Sequence, residues 1–427
     1  MVKADGCWAV RCVGVVLSVA LTATACSNGD DNDAASADEP ASGDVTPDAS
    51  PERYEGEEFY SVPAPLPDGE PGDLLRYQAL DSPTPAGAEH WRIMYLSESV
   101  AGETIAVTGL VVVPEDPAPS EGRPVLSVGH GTAGVADVCA PSRRTPQLAS
   151  LDQTLGAPDT LELLGGFAEA GYVVAMTDYE GLGTPGVHPY LVGESEGRGI
   201  LDAARAARQL PGADAGNQVG IWGYSQGGHA ALWANQLARE WAPELDVIGT
   251  VAGGPGADLP TTFVATGRVP SLNDRFVLIV AGFAAAYSGA DPSLVLTDAG
   301  MRVLEHARTN EVCGAVGVDL SPAGGEPVAR EGFTTAEPWV SLMGDNDPGQ
   351  VATDGVVLIL HSAADEVVPR GFSEALVSDW CRLGQQVELR LYDQGEGHVE
   401  AMDDAAIDGL AWLEARRAGE PASSNCE

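Results

Sequence analysis

Basic residues are scarce in this chain. Its 427 residues carry 22 Lys and Arg against 63 Asp and Glu, a formal net charge of −41. A surface of that sign repels phosphate backbones and anionic headgroups, which argues against nucleic acid and bulk membrane as partners. An acidic, soluble exterior suited to salty surroundings accounts for it. No H-E-x-x-H, no C-x-x-C pair and no dinucleotide-binding glycine fingerprint occurs, so neither a metal nor a cofactor is expected. No repeat of fixed period is evident, which excludes solenoid and propeller architectures. The N-terminal apolar run ends by Ala25 and is too short to span a bilayer stably. Against these absences stands 44% apolar content, enough for a large core in one α/β domain or two smaller ones.

Cysteine is also sparse, with seven in all. Residues 1–25 read as an export signal: Lys3 and Arg11 first, then Val13 to Ala25, ending in the small residues Ala23-Thr24-Ala25. Cys26 follows, and the arrangement resembles a bacterial lipoprotein signal, in which that cysteine becomes the lipidated first residue. Ala23-Thr24-Ala25 equally suits ordinary cleavage and release. Removing Cys7 and Cys12 with the signal leaves Cys26, Cys139, Cys313, Cys381 and Cys426. Acylating Cys26 leaves an even number able to pair in an oxidising compartment, in any of three connectivities. The expected location is therefore the outer face of the cell membrane as a lipoprotein, or the medium. Residues 26–58, rich in Asp, Ala, Ser, Glu and Pro, read as the lipidated N-terminus and a disordered acidic tether. The folded domain is expected over 59–427.

Within it, residues 60–87 are proline-rich and read as irregular. Residues 90–97 and 104–113 predict a hairpin around Ala101-Gly102-Glu103. Strands and helices then alternate: strands at 125–129, 172–177, 219–222, 247–252, 356–360 and 387–392, helices at 161–170, 198–210, 230–241, 372–383 and 401–417. That alternation implies βαβ units and a mostly parallel sheet. The interval 258–350 is too long for a plain connection and reads as an inserted helical cap. Its stretch Phe276 to Phe283 suits either an acyl pocket or the cap's own core.

Residues 217–241 organise the rest. A short strand, Val219 to Trp222, runs into Gly223-Tyr224-Ser225-Gln226-Gly227 and then an Ala- and Leu-rich helix. This is G-x-S-x-G in a strand–turn–helix context, which lifts a serine hydroxyl onto a strained elbow at a helix N-terminus. The alternative is a glycine-rich turn whose serine merely caps the helix. Gly193-Glu194-Ser195-Glu196-Gly197 spells the same motif but follows no apolar strand. Its two carboxylates have the wrong sign beside a developing oxyanion. Ser195 therefore reads as the start of a helix.

A serine needs a base, and the base needs an orienting group. In this architecture the acid and then the base follow the serine along the chain. Asp365 lies in the loop after the strand at 356–360, and the only later histidine is His398, just after the strand at 387–392. Glu366 could replace Asp365, but its loop position is the weaker one. Asp345, Asp347 and Asp354 precede the strand, and Asp393 lies too close to the base. His361 and His229 read as structural. Two backbone donors for an oxyanion are expected from Gln226 and from Thr132, in Gly129-His130-Gly131-Thr132-Ala133-Gly134 after the strand at 125.

Taken together, G-H-G-T-A-G-V-A-D-V-C-A-P-S at 129–142, T-D-Y-E-G-L-G-T-P-G-V-H-P-Y at 177–190, G-Y-S-Q-G-G-H-A at 223–230, A-G-G-P-G-A-D-L at 252–259, A-D-E-V-V-P at 364–369 and G-H-V at 397–399 resemble a known family. It is the secretory lipases of the α/β-hydrolase superfamily, typified by the A-type lipase of Candida yeasts. The resemblance covers roughly residues 60–415. It implies an α/β-hydrolase fold with a helical cap, hydrolysis of lipid-like carboxylic esters, and Ser225, Asp365 and His398 as triad. It also implies disulfides Cys139–Cys313 and Cys381–Cys426. Two alternatives stay open at this point: a serine hydrolase of another acyl class, polyester or peptide, and a non-catalytic binding domain on a hydrolase fold.

Overall fold

Short apolar runs bounded by turn residues assemble into one sheet. The computed structural model describes residues 50–80, 87–144, 160–309, 313 and 318–426. All lie within a unit spanning Asp48–Glu427, whereas Met1–Pro47 forms the other unit. The expected export signal and Cys26 lie outside the described residues.

The strands are β1 (Glu52–Arg53), β2 (Leu74–Leu80), β3 (Ala88–Glu98), β4 (Thr104–Pro114), β5 (Arg123–Gly129), β6 (Val173–Thr177), β7 (Ala215–Tyr224), β8 (Asp246–Gly253), β9 (Val357–Ser362) and β10 (Val387–Tyr392). Their spatial order is β1-β2-β3-β4-β6-β5-β7-β8-β9-β10. The predicted hairpin is β3–β4, antiparallel throughout, and β4 meets β6 antiparallel. From β6 to β10 every pairing is parallel. The inner strands β5, β6 and β9 are buried at every position, as strands covered on both faces require.

Two expectations need correction. Residues 60–87 are not irregular throughout: Leu74–Leu80 forms β2, paired with β3. The prolines flank this run at 71 and 83 and leave its backbone free to pair. Ordered chain also begins before residue 59, because β1 pairs with β2 and Tyr54 packs edge-on against Phe59.

The helices divide between the two faces of the sheet. Those at Gly193–Gln209 (α2) and Gln226–Trp241 (α3) cover one face, burying Ile200, Ala204 and Ala231 against Val125, Val173 and Val219. Thr160–Glu169 (α1) and Ala401–Arg417 (α9) cover the other, with Phe167 and Leu413 against Leu126, Trp222 and Leu358. Arg370–Leu383 (α8) packs Trp380 against Val357 and Ile359.

Between β8 and β9 lies the insert, with helices Leu259–Arg268 (α4), Asn273–Ala286 (α5), Asp298–Thr309 (α6) and Trp339–Asp345 (α7). It has a core of its own, where Phe263 stacks on Trp339 and meets Phe276 and Phe333 edge-on or tilted. Phe276 to Phe283 is wholly buried in α5 and mainly fills that core. Among the described residues no single helix is long and apolar enough to cross a membrane. Both disulfides pair as the resemblance implies: Cys139–Cys313 joins the loop after β5 to the insert, and Cys381–Cys426 ties α8 to the C-terminal segment.

Candidate functional site

β7 delivers the chain into a turn that only small neighbours permit. Ser225 sits at φ 59° and ψ −117°, a left-handed conformation that side chains rarely adopt. A Cβ on Gly223 would overlap the Gly227 carbonyl, which explains the first glycine of the motif. The turn leads straight into α3, so the Gln226 N–H opens a helix and has no intrahelical acceptor.

Three strand ends bring Ser225, Asp365 and His398 together. The Ser225 hydroxyl donates to His398 Nε2 at 2.9 Å. His398 Nδ1–H donates to Asp365 Oδ2 at 2.6 Å. Asp365 Oδ1 accepts the N–H groups of Val367 and Val368 at 2.9 and 2.7 Å. Burial pushes the Asp365 carboxyl up, yet hydrogen bonds from His361 and His398, the His398 charge and the Val368 N–H outweigh it. The group is held well below the usual carboxylate range and stays ionised. Glu366 accepts the His398 backbone N–H at 3.0 Å, so it braces the imidazole's chain without touching the ring. Tyr224 donates its hydroxyl to the His398 carbonyl at 2.7 Å.

His361 and His229 have structural partners, as read from the sequence. His361 Nε2–H donates to the Val368 carbonyl at 2.9 Å, and Nδ1 accepts the Ser373 hydroxyl at 2.8 Å. Its Nε2 also lies 3.4 Å from Asp365, so it shapes the carboxylate directly.

Ser225 opens on a cavity of about 250 Å³, lined largely by apolar side chains. Thr132 and Gln226 both line it beside Ser225. The Thr132 hydroxyl shares a 2.9 Å hydrogen bond with Tyr190. Ile279 is the one residue of the 276–283 stretch that reaches this lining. Among the described residues no group of His, Cys, Asp or Glu is arranged to hold a metal ion.

Behind the turn lies a buried polar cluster that the sequence reading missed. Ser195, in the second G-x-S-x-G, lies in α2 outside the cavity lining and donates to Glu180, in the loop after β6, at 2.6 Å. Its neighbour Glu196 is fully buried and accepts from Leu191 N–H at 2.9 Å, the Gln226 side-chain amide at 2.8 Å and His229 Nδ1–H at 2.7 Å. The Gln226 amide also donates to His188 Nε2 at 2.7 Å. Burial lowers the His188 pKa to about 4, leaving the neutral ring that accepts this bond. His229 Nε2–H and the Trp233 indole both donate to the Asn346 carbonyl, at 3.0 Å each. The cluster thus joins α2, the start of α3 and the end of the insert. Only the acidity of the second motif hinted at it.

A family model described as secretory lipase matches residues 157–425. A Mycobacterium tuberculosis protein described as a probable inactive lipase is 29% identical, covering 85% of this chain and 82% of its own. Lipase 6 of Candida albicans is 26% identical over 87% of this chain and 83% of its own. The closed-state structure of Candida antarctica lipase A superposes with a TM-score of 0.71 at 22% identity, covering 87% of each chain. That likeness is one of fold, the α/β-hydrolase fold expected here.

Proposed function

Since this chain belongs to the secretory lipase family and hydrolyses carboxylic esters, we propose that Ser225 is its nucleophile, His398 its base and Asp365 the base's orienting group. The observation that carries this reading is the unbroken relay of 2.9 and 2.6 Å from hydroxyl to imidazole to carboxylate. Ser225 Oγ attacks the ester carbonyl carbon as its proton passes to His398 Nε2. Asp365, already ionised, stabilises the imidazolium and keeps Nδ1–H pointed at itself. The carbonyl oxygen becomes an oxyanion that accepts from the Gln226 and Thr132 backbone N–H groups. Collapse expels the alcohol with the proton from His398. Water then attacks the acyl-enzyme by the same route and releases the acid.

The substrates are acyl esters of lipid-like character, in keeping with the apolar cavity. Ser225→Ala abolishes turnover of p-nitrophenyl esters and labelling by a fluorophosphonate; residual labelling at the wild-type rate would refute the assignment. The same labelling separates this reading from a non-catalytic domain, the state that the mycobacterial relative's description suggests for that protein. Peptide amides and polyesters, assayed beside short and long acyl esters, test the other acyl classes.

The protein is exported, in line with its family and its two disulfides. Cleavage after Ala25 and lipidation of Cys26 would hold it at the outer face of the membrane. Mass spectrometry of the mature N-terminus tests that anchor, and an unmodified Cys26 would remove it.

A further inference from the structure

The catalytic cavity inverts the charge of the molecule around it. Across the chain acidic residues outnumber basic ones 63 to 22. Among the described residues the cavity lining nevertheless includes no Asp or Glu, and its two permanently charged side chains are Arg144 and Arg275. They come from different parts of the fold. Arg144 ends the short helical turn Pro141–Arg144 on the loop after β5, the loop that also carries Thr132. Arg275 lies in the first turn of α5 in the insert. Tyr190, whose hydroxyl bonds Thr132, lines the same cavity as Arg275.

Arg123 and Arg205, elsewhere in this protein, are saturated, whereas among the described residues Arg208 and Arg308 each keep a buried Nε without a partner. Arg123 donates to the carbonyls of Ala213, Pro114 and Asp116. Arg205 bonds Asp202, Glu244 and the Trp241 carbonyl. The cavity pair is not. Among the described residues Arg144 has neither a hydrogen bond nor an ion pair, and burial lowers its pKa with no carboxylate opposing. Among the described residues Arg275 pairs only with its neighbour Asp274, at 3.5 Å. Both guanidiniums are part-exposed, so water serves their free N–H groups until a ligand takes its place. A guanidinium is suited to forked pairing with carboxylate or phosphate.

We infer that this cavity receives an ester bearing a second, anionic group, carboxylate or phosphate, which Arg275 and Arg144 dock while Ser225 faces the scissile carbonyl. The inference rests on the ester-hydrolase reading above and narrows its substrate class from neutral fats to acidic esters. An anion in the cavity supplies the acceptors that the fold withholds. Outside it, the acidic surface repels the same anion, and salt screens that repulsion over about 8 Å at physiological strength.

The test uses two matched pairs. Mono-p-nitrophenyl adipate and p-nitrophenyl hexanoate differ by one ω-carboxylate, placing the anion on the acyl arm. Dihexanoyl phosphatidic acid and dihexanoylglycerol place a phosphate on the alcohol arm. The ratio of kcat/KM, anionic over neutral, is measured for the full chain, Arg275→Gln, Arg144→Gln and Arg275→Lys. The expected result is a ratio of about ten or more in at least one pair, falling severalfold in each Gln variant and partly kept by Arg275→Lys. Taking a ratio within each variant cancels any loss common to both esters. A ratio at or below one in both pairs, or one unmoved by either Gln substitution, overturns the inference while leaving ester hydrolysis intact. Absence of turnover on every ester by the unsubstituted protein would instead defeat the underlying reading, and this inference with it.

Discussion

A Cβ on Gly227 would overlap the carbonyl oxygen of Gly129, far inside the 3.0 Å that real Cβ atoms keep, and would reach 3.0 Å from the His130 oxygen. The turn bearing Ser225 and the loop after β5 therefore cross with backbone alone between them. Gly227→Ala is expected to cost about 3 kcal/mol or more, because neither carbonyl can move without distorting β5. Gly166→Ala is the matched control: it lies in helix α1 with nothing within 4 Å of the added carbon. It should gain up to about 1 kcal/mol. Urea midpoints for the two variants check both signs.

Asp365→Asn removes the acceptor for His398 Nδ1–H but keeps an oxygen for the Val367 and Val368 amides. The expected loss in kcat is about 10⁴-fold, since an amide stabilises neither the tautomer nor the imidazolium. A carboxyl held below its ordinary range contributes stability above that range and loses it as pH falls through the folded value. Asp365 therefore does not set the acid limb of the pH–rate profile. Its replacement should reduce stability at pH 7, read by thermal unfolding.

Asp347 carries the opposite sign. It closes the base of the insert by accepting the Leu259 N–H at 3.0 Å, and burial, with Asp258 adding to it, raises its pKa to about 6. A raised carboxyl contributes stability that is fully present below its unfolded value near 4. That stability is lost as pH rises through 6. Asp347→Asn should flatten the fall in stability between pH 4 and 7 and raise stability at pH 8. The gain is bounded by about 3 kcal/mol and reduced by the carboxylate's partial hydration. Asp202, raised to about 6 chiefly by burial, keeps a parallel slope in this variant. Denaturant melts across that range provide the measurement.

Glu196 binds three donors with two oxygens, and a glutamine has one oxygen to offer them. Glu196→Gln should cost about 3 kcal/mol, as breaking a buried pair does. The Gln226 side chain also loses its anchor, and its backbone N–H with it, so kcat is expected to fall about tenfold more than KM changes. Single-turnover kinetics on a p-nitrophenyl ester separates this from simple loss of folded protein.

The parts of the site legible in the sequence are those fixed by strand order. Ser225, Asp365 and His398 each follow a strand by a few residues, and a parallel sheet aligns those ends whatever lies between. The elements from β5 onward were likewise readable from short apolar runs. β2 was not, because the prolines on either side dominate a short window. Glu196 escaped notice for a different reason. Its partners come from 191, 226 and 229, and only the packing of α2 on α3 brings them together. The roles of Arg144 and Arg275 depend on which carboxylates stay away, and spacing along the chain carries no record of that.

The Cys139–Cys313 bond has a mechanical corollary. The insert is moored at its two chain ends, in β8 and β9, and now at a third point beside the loop that bears Thr132. Three moorings rule out a hinged swing of the whole insert. Whatever passage a substrate takes to Ser225 must be made by yielding within the insert, so a reductant should widen the range of esters accepted before it unfolds the sheet.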